Sequence, residues 1–402
     1  MQSKIITCES DGIRKTHFAY SRVMDKTKHK PWQTMAAWIA TYNHQTKQIE
    51  NNTFLGPIFD NHGTPCLAMD SKGYLHIVYG PHHHPFHYRK SLYPNNSSKW
   101  SDAEIISFQR GDVTNDSSYW KQPKAIDGKE WTYPIIKIDG KDNIHIAASL
   151  SKATIYTRKT GDHWEKAKTI YTANKQYSRY AVMMNISTDN EIVILAPDLD
   201  LHHDNEGYYS CDMDYHLFIS NDHGNSFVDK GMVLKGALQG TGNCAIDSNN
   251  NIHWLAYERD FSTHRFLFHN RYDGIRVWQD SLQIKDRYIW DASMTITNDG
   301  EVLIFCAANQ STHHWRDASN QLYLFKGYKT GNFHDFSLQL IKESTADKNI
   351  WLPNIQDLQQ QNSINRNDFF VMWSEEPDLK GDYSSTKEFV VISNLYAKLL
   401  DR

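Results

Sequence analysis

The sequence predicts an all-β protein, and three observations support this class. Pairs of short apolar segments recur along the chain, each pair joined by a polar turn rich in Asp, Asn and Gly, a pattern typical of antiparallel hairpins. The 12 Trp, 22 Tyr and 17 Phe favour strands and can fill a large core. No apolar run approaches the roughly 20 residues of a membrane-spanning helix. Because no linker divides the chain, we expect a single domain over residues 1–402 with no membrane partner.

A hairpin repeat organises the sequence. Five clear copies are CLAMDSKGYLHIVYG from Cys66, IIKIDGKDNIHIAAS from Ile135, MMNISTDNEIVILAP from Met183, NCAIDSNNNIHWLAY from Asn243 and SMTITNDGEVLIFCA from Ser293. A degenerate copy covers residues 354–374, and residues 34–58 supply β-type sequence for a seventh unit. The spacing between copies leaves room for a second strand pair in each unit. Each unit is therefore expected to form four antiparallel strands.

Small sheets of this kind cannot bury both faces alone and stack radially around an axis. The repeat therefore predicts a seven-bladed β-propeller of four-stranded antiparallel blades. One further motif agrees: SNDHGNSF, residues 220–227, fits the Asp-box pattern S-x-D-x-G-x-[ST]-[WF]. In such a turn Asp222 bonds backbone amides and Phe227 packs beneath, so its role is structural.

Charge and cysteine content exclude several classes of function. A net charge of −4 and the lack of a basic cluster argue against a nucleic-acid partner. The five cysteines are scattered without a CxxC pair, so we expect buried thiols rather than disulfides or a zinc ribbon. The first residues contain no apolar leader segment. Localisation therefore stays open: periplasmic or secreted if a leader was removed, and otherwise cytoplasmic.

Blade topology predicts where chemistry can sit. In a four-stranded meander, the loop into the first strand and the loop leaving the second lie at the same end of the blade. The first loops contribute His62, Tyr133, Arg179, Asn243, Trp290 with Asp291, and Trp351; the second contribute His82 to His84, Ser149, His202 with His203, Glu258, Arg259, His313 to Arg316, and Glu375. We expect these side chains to converge around one axis.

Not every histidine in the chain is a candidate. His76, His145 and His253 recur inside the second strand of their units, so we expect core positions for them. The three consecutive histidines His82 to His84 are also a candidate metal site, since imidazole is a common metal ligand. Adjacent histidines do not easily face one ion, however, so no catalytic metal is expected. The rings of Trp290 and Trp351 suit either a core or stacking on sugar rings.

Residues 60–91, DNHGTPCLAMDSKGYLHIVYGPHHHPFHYRKS, resemble the opening blade of the seven-bladed propeller polysaccharide lyases that act on ulvan and related rhamnose–glucuronate glycans, a group of BNR-repeat type. In that family a histidine leads into the first strand, a second follows later, and a Tyr-Pro pair opens the next blade. The matching positions are His62, His82 (with His83 as the alternative) and Tyr133. The resemblance implies β-elimination on a uronic acid of an acidic glycan, sulfated or not, with Tyr133 and one histidine as the acid/base pair.

The chain departs from this family at one position. The family's arginine that neutralises the substrate carboxylate corresponds to Ser149. Arg179 and Arg259 are the nearest replacements by blade geometry, and His83, His314, Trp290 and Trp351 complete the expected substrate-binding set. The departure leaves open whether a sugar leaves C4, as in a lyase, or water, as in an oligosaccharide dehydratase. No cofactor is required for this reaction, and a structural metal ion is compatible with it.

Two other functions remain open on the sequence. A propeller glycoside hydrolase of rhamnosidase or sialidase type needs two convergent carboxylic acids, for which Asp291, Glu258 and Glu375 are candidates. A non-catalytic glycan-binding propeller would use the aromatic residues and have no need of His62 or Tyr133.

Overall fold

The computed structural model describes residues 4–24, 35–58, 63–82, 84–108, 113–114, 131–178, 182–203, 209–237, 240–257, 266–310, 319–343, 348–359, 368–377 and 394–401. Across these ranges thirty strands form seven antiparallel sheets, numbered 1 to 7 in chain order. None of the described ranges contains a helix long and apolar enough to cross a membrane. The predicted all-β class is confirmed.

Sheets 1 to 3 come from the first half of the chain. Sheet 1 holds β1 (Ile5–Ser10), β2 (Ile13–Val23), β3 (Met35–Asn43) and β4 (Gln48–Pro57). Sheet 2 holds β5 (Cys66–Met69), β6 (Leu75–Tyr79), β7 (Phe86–Tyr93), β8 (Asn96–Trp100), β9 (Glu104–Ile106) and β10 (Val113–Thr114). Sheet 3 holds β11 (Thr132–Ile138), β12 (Ile144–Leu150), β13 (Ala153–Thr160), β14 (His163–Trp164) and β15 (Lys168–Thr172).

Sheets 4 to 7 follow the same order. Sheet 4 holds β16 (Met183–Ile186), β17 (Ile192–His203), β18 (Tyr209–Ser220) and β19 (Val228–Ala237). Sheet 5 holds β20 (Gly240–Ile246), β21 (Ile252–Tyr257), β22 (Leu267–Tyr272) and β23 (Val277–Leu282). Sheet 6 holds β24 (Tyr288–Ile296), β25 (Val302–Asn309), β26 (Gln321–Thr330) and β27 (Phe333–Lys342). Sheet 7 holds β28 (Lys348–Ile355), β29 (Asp368–Pro377) and β30 (Asn394–Asp401).

The five predicted hairpins are the first two strands of sheets 2 to 6, and the degenerate copy is β28–β29. Two details differ from the prediction. The segment predicted over residues 34–58 contains β3 and β4, the third and fourth strands of sheet 1. The first hairpin of that sheet comes from β1 and β2, whose charged side chains obscure the alternation. Four sheets have four strands; sheets 2, 3 and 7 have six, five and three in the described ranges.

The sheets pack side by side through their apolar faces. The first strands of consecutive sheets lie against each other from β1 to β28, and buried clusters join neighbouring sheets. The last sheet also returns to the first, since Ile5 and Phe18 of sheet 1 share a cluster with Phe370 and Met372 of sheet 7. Burial of these faces supplies most of the stabilisation, at about 25 cal/mol per Å² of apolar surface.

One polar segment, residues 356–359, binds the first strands of most sheets, and we call it the axial segment. Its hydrogen bonds run from Thr7 Oγ1 to Gln356 Oε1 (2.8 Å), from Asp357 N to Ile5 O (3.2 Å), from Leu358 N to Thr295 Oγ1 (3.0 Å), and from Asn185 Nδ2 and Ile246 N to Gln359 Oε1 (2.8 and 2.9 Å). Lys137 Nζ lies 2.5 Å from Asp357 Oδ2. Sheets 1, 3, 4, 5 and 6 are thus tied to a segment that follows β28.

The Asp-box forms as predicted. Asp222 accepts hydrogen bonds from Ser226 N and from the hydroxyls of Ser220 and Ser226, and these bonds hold the pKa of its carboxyl well below the usual range. Phe227 packs edge-on against Tyr156 of sheet 3, with ring centroids 5.0 Å apart. Gly224 has φ +84°, and a Cβ there would lie 1.9 Å from the Tyr156 hydroxyl, so only glycine fits this contact.

Four of the cysteines, Cys8, Cys66, Cys244 and Cys306, are buried free thiols, as predicted. Burial raises the pKa of Cys8, Cys66 and Cys244 to about 12. These thiols therefore stay protonated and unreactive at neutral pH. The side chain of Cys211 lies outside the described residues.

The Lys137–Asp357 ion pair is expected to be needed for stability. Both side chains are largely buried, with 9% and 12% of their surface exposed. Asp357→Asn leaves the Lys137 ammonium without its anion, so we expect a loss of roughly 3 kcal/mol in the free energy of unfolding. In chemical denaturation, adding Lys137→Met to that variant should recover at least half of the loss. Equal stability of the single variant and wild type would contradict this role.

His17 is expected to make the fold acid-labile. Its Nε2 lies 2.9 Å from Asn95 Oδ1 and its Nδ1 lies 2.8 Å from Thr41 Oγ1, so the neutral ring is fully bonded. Burial lowers the pKa of His17 to about 4. The unfolded state therefore binds the proton first, and stability present above pH 6.5 should fall by roughly 3 kcal/mol as the pH drops to about 4. Denaturation of His17→Gln over this range should show a decline smaller by that amount.

Candidate active site

The first strand of sheet 3 begins with a bulge that contains Tyr133. Thr132 pairs with Ser149, and regular pairing resumes only at Ile135 with Ala147. Tyr133 has φ +53° and is half-buried. The bulge therefore turns the Tyr133 ring out of the alternation that the strand would otherwise impose.

The backbone at Tyr133 is strained. A bulky residue with positive φ is a steric outlier, and the proline that follows restricts this position further towards extended geometry. Such conformations cost about 1–3 kcal/mol and persist only where the surroundings enforce them. Here the Cys66 thiol of sheet 2 donates to Pro134 O at 2.9 Å, which fixes the carbonyl immediately after Tyr133. Strain of this kind is frequent at functional sites.

His82 lies next to Tyr133, as the topology predicted. Its backbone forms an isolated antiparallel bridge to Thr132, which joins the loop after β6 to the start of β11. The two ring centroids are 6.1 Å apart with an interplanar angle of 41°. His84 Nδ1–H donates to His82 O at 2.5 Å, so the turn that carries His82 is held from both sides. The structure thus brings an imidazole and a phenol together at one end of sheets 2 and 3.

Ser149 lies directly across from Thr132 and is fully buried. Within the described part of the chain, its hydroxyl has no hydrogen-bond partner. A buried serine carries no charge, so this position does not supply the cation expected from the family resemblance.

Five predicted site residues lie outside the described residues: His62, His83, Arg179, Arg259 and His314. One contact concerns the chain next to His62. Gly80 N donates to Gly63 O at 3.0 Å, and a Cβ on Gly63 would lie 2.9 Å from the Gly80 backbone. The residue after His62 therefore packs against the backbone two residues before His82.

Trp290 lies in the bulge of its strand, as Tyr133 does in sheet 3, whereas Trp351 is the last paired residue before a bulge, as Thr132 is. Register shifts occur between Ile289 and Asp291 in β24 and between Trp351 and Asn354 in β28. The Trp290 indole is half-buried and donates to Asn309 Oδ1 at 2.9 Å, which fixes its ring. The backbone of Trp351 pairs with Ser374; its side chain lies outside the described residues.

Other expected members have structural contacts. Asn243 exchanges hydrogen bonds with the backbone of Met294 and so joins sheets 5 and 6. Glu375, a carboxylate considered for hydrolysis, is buried, accepts from the Trp373 indole at 3.0 Å and lies 3.2 Å from Lys342 Nζ. Asp291 follows the bulge of β24, and Glu258 lies outside the described residues.

His76, His145 and His253 are core residues, as predicted, with exposures of 3%, 0% and 1%. The sequence interpretation missed a second histidine cluster: His269, Asp280 and His334 lie with their ligand atoms within 4.8 Å of one another. Their spacing of 11 and 54 residues in the chain gives no motif. Only the alignment of hairpins, which places His269 where other units have tyrosine, could have identified it.

Backbone strain at Tyr133 can be tested with two substitutions that remove the same ring. Asn tolerates positive φ, whereas a β-branched residue does not. We therefore expect Tyr133→Val to be less stable than Tyr133→Asn by about 1 kcal/mol or more in chemical denaturation. Tyr93, an exposed residue at the end of β7 without this φ, is the control, and its Val variant should be at least as stable as its Asn variant. Equal stability of the two Tyr133 variants would show that the backbone is relaxed.

Comparison with known proteins finds similarity in the first part of the chain, which contains residues 60–91. A family model described as a BNR repeat-containing family member matches residues 11–147. The ulvan lyase PL25 of Pseudoalteromonas sp. (strain PLSV) is 28% identical over 28% of this chain and 31% of that protein, so the chain spans about a third of the length of this relative. An ulvan lyase of Nonlabens ulvanivorans is 30% identical over 17% of this chain and 20% of that protein.

A solved structure of PL25 ulvan lyase covers 100% of this chain and 94% of its own, with a TM-score of 0.66 and 12% sequence identity. At this identity the likeness establishes the fold. The resemblance predicted from residues 60–91 is confirmed: the chain is similar in sequence to BNR-repeat proteins and ulvan lyases over part of its length, and it has the fold of PL25 ulvan lyase.

Proposed function

We propose that the seven sheets are the blades of one closed β-propeller that spans residues 1–402. Two observations support closure. Sheet 7 packs on sheet 1 through Phe370 and Phe18, and the axial segment bonds to the first strands of five other sheets. A single short segment can reach so many strands only if they surround it.

We further propose that the protein is a carbon–oxygen lyase that performs β-elimination on uronic acid residues of ulvan-type glycans. The observation that carries this proposal is the pairing of His82 with Tyr133 in a strained bulge. The known relatives support the substrate class, because ulvan lyases match the sequence and a PL25 ulvan lyase structure carries -[GlcA(1-4)Rha3S]-. The substrate expected here is an acidic glycan of rhamnose and glucuronate.

The reaction requires two proton transfers on adjacent carbons. A base removes the C5 proton, the C5–H electrons form the C4–C5 double bond, and the C4–O bond breaks as its oxygen takes a proton. A phenol and an imidazole with ring centroids 6.1 Å apart can contact C5 and O4 of one sugar ring. We assign Tyr133 and His82 as this acid/base pair, with His62 beside the carboxylate.

Negative charge builds up on the uronate carboxylate as C5 loses its proton, so a cation is needed nearby. Because the position of the family arginine is the buried Ser149, we assign this role to Arg179 or Arg259. His83, His314, Trp290 and Trp351 would hold the neighbouring sugars. The leaving group at C4 is a sugar if the protein is a lyase, or water from a terminal uronate if it is an oligosaccharide dehydratase.

Elimination can be measured directly, because it creates a conjugated unsaturated uronate that absorbs at about 235 nm, whereas hydrolysis and binding do not. We expect the absorbance to rise when the protein is incubated with ulvan or with ulvan oligosaccharides. Tyr133→Phe and His82→Gln should each lower kcat by about 100-fold or more, since each removes a proton-transfer group. Tyr328→Phe, which alters an exposed tyrosine, should leave kcat unchanged.

The product mass distinguishes the two leaving groups, because a dehydratase product lacks one water and keeps its chain length. Release of saturated sugar without absorbance would favour a hydrolase. Affinity for the glycan without any product would favour a binding module. Either of these two results would contradict the elimination proposal.

A further inference from the structure

A buried Asp–His–Tyr triad recurs in sheets 2 and 3. His76 Nε2 lies 3.1 Å from Asp70 Oδ2 and its Nδ1 lies 2.7 Å from the Tyr88 hydroxyl. His145 has the same surroundings, with Asp139 at 3.2 Å and the Tyr156 hydroxyl at 2.7 Å. The protons balance with neutral rings, since the histidine Nε2–H faces the carboxylate and the tyrosine O–H donates to Nδ1.

Sheet 5 repeats this triad with one exchange. His253 Nε2 lies 3.4 Å from Asp247 Oδ2, but the group on its Nδ1 is His269 Nε2, at 2.9 Å. The register confirms the equivalence: His269 pairs with Leu255, two residues after His253, as Tyr88 pairs with Val78 and Tyr156 with Ala147. An imidazole therefore stands where the other sheets have a phenol.

Because a histidine replaces the tyrosine in sheet 5, the outer ring nitrogen of His269 is free to face another carboxylate, that of Asp280. His269 Nδ1 lies 2.9 Å from Asp280 Oδ2, and His334 Nδ1 of sheet 6 lies 3.1 Å from the same oxygen. The side chains of His269, His334 and Asp280 are 0%, 2% and 11% exposed. Two imidazoles and a carboxylate thus point their ligand atoms at one buried place between sheets 5 and 6.

With neutral rings, this network has one N–H proton fewer than it has contacts: two rings supply two protons for the three contacts Asp247–His253, His253–His269 and His269–Asp280. If His253 keeps its Nε2–H on Asp247, its Nδ1 must accept from His269 Nε2–H. His269 Nδ1 then carries a lone pair and faces the Asp280 carboxylate, which also has no proton. A buried contact between two acceptors is unfavourable, so one more positive charge has to lie between them.

We propose that this charge is a divalent transition metal of the Zn²⁺ class, bound by His269 Nδ1, Asp280 and His334 Nδ1. Imidazole and carboxylate are ordinary zinc ligands, at about 2.0–2.2 Å from the ion. Tetrahedral ligand atoms are then about 3.4 Å apart; here two pairs are 2.9 and 3.1 Å apart and all three atoms lie within 4.8 Å of one another. A solvent molecule completes the coordination.

His253 and Asp247 would then orient the metal ligand His269 through hydrogen bonds. His269 Nε2–H donates to His253, and His253 Nε2–H donates to Asp247, so both rings are neutral and every nitrogen is bonded. Ligating histidines commonly pass their other N–H to such a partner, which orients the ring. His253 is therefore a positioning residue.

The site would fasten two neighbouring sheets. His269 and Asp280 belong to β22 and β23 of sheet 5, and His334 belongs to β27 of sheet 6. These are the third and fourth strands of their sheets, whereas His82 and Tyr133 lie at the first hairpins of sheets 2 and 3. The role we assign to the metal is structural, and it does not depend on the proposed elimination reaction.

The experiment uses the full-length protein, stripped with a chelator and titrated with ZnCl2 by calorimetry. We expect one Zn²⁺ per chain and a rise in Tm on binding. Asp280→Asn and His334→Gln should each weaken binding by tenfold or more and abolish the rise in Tm, and His253→Gln should weaken it by about 10–100-fold. His163→Gln, which alters an exposed histidine, is the control and should bind like wild type.

Visible absorbance of the Co²⁺-loaded protein provides a second measurement, because tetrahedral nitrogen and oxygen ligands give d–d bands that Asp280→Asn should remove. Two results would overturn the proposal. One is a stripped, folded wild type that takes up no Zn²⁺, which would mean that a proton supplies the missing charge. The other is wild-type affinity in folded Asp280→Asn and His334→Gln, which would place the ion elsewhere.

Discussion

The arrangement of the sheets depends on the axial segment, residues 356–359. Burying polar groups inside an apolar fold is costly unless they are bonded, and here the first strands of five sheets provide partners for the segment. Gln359 alone joins Asn185 of sheet 4 to Ile246 of sheet 5. The apolar faces hold neighbours together in pairs, whereas this segment fixes many first strands relative to one another, and the candidate site is built on the starts of those strands.

The site combines two features that oppose stability. Tyr133 has a strained φ before a proline, and Ser149 buries a hydroxyl without a partner in the described part of the chain. Neither feature assists folding, and both lie at one point of sheet 3. The bridge between His82 and Thr132 and the thiol of Cys66 hold this geometry. Such a concentration of local energetic cost beside a phenol and an imidazole supports a functional role for this end of the sheets.

Most of the fold could be predicted from the sequence, because buried hairpins such as β11–β12 alternate apolar residues around a turn that begins with Asp. The hairpin β1–β2 could not, since charged residues such as Arg14 and Lys15 interrupt the alternation of apolar residues in β2. The closeness of His82 and Tyr133 followed from blade topology alone. The His269–Asp280–His334 cluster did not, because it joins the outer strands of two sheets, where chain spacing contains no information about contact.

The central claim is that His82 and Tyr133 act on one uronate ring. The most direct test is a crystal structure of the inactive Tyr133→Phe variant with an ulvan oligosaccharide bound. We expect a uronate whose C5 and O4 lie within hydrogen-bond reach, about 3 Å, of the His82 imidazole and of the position of the missing hydroxyl, with its carboxylate beside an arginine. A uronate bound at another part of the protein, with neither group near C5, would contradict this assignment.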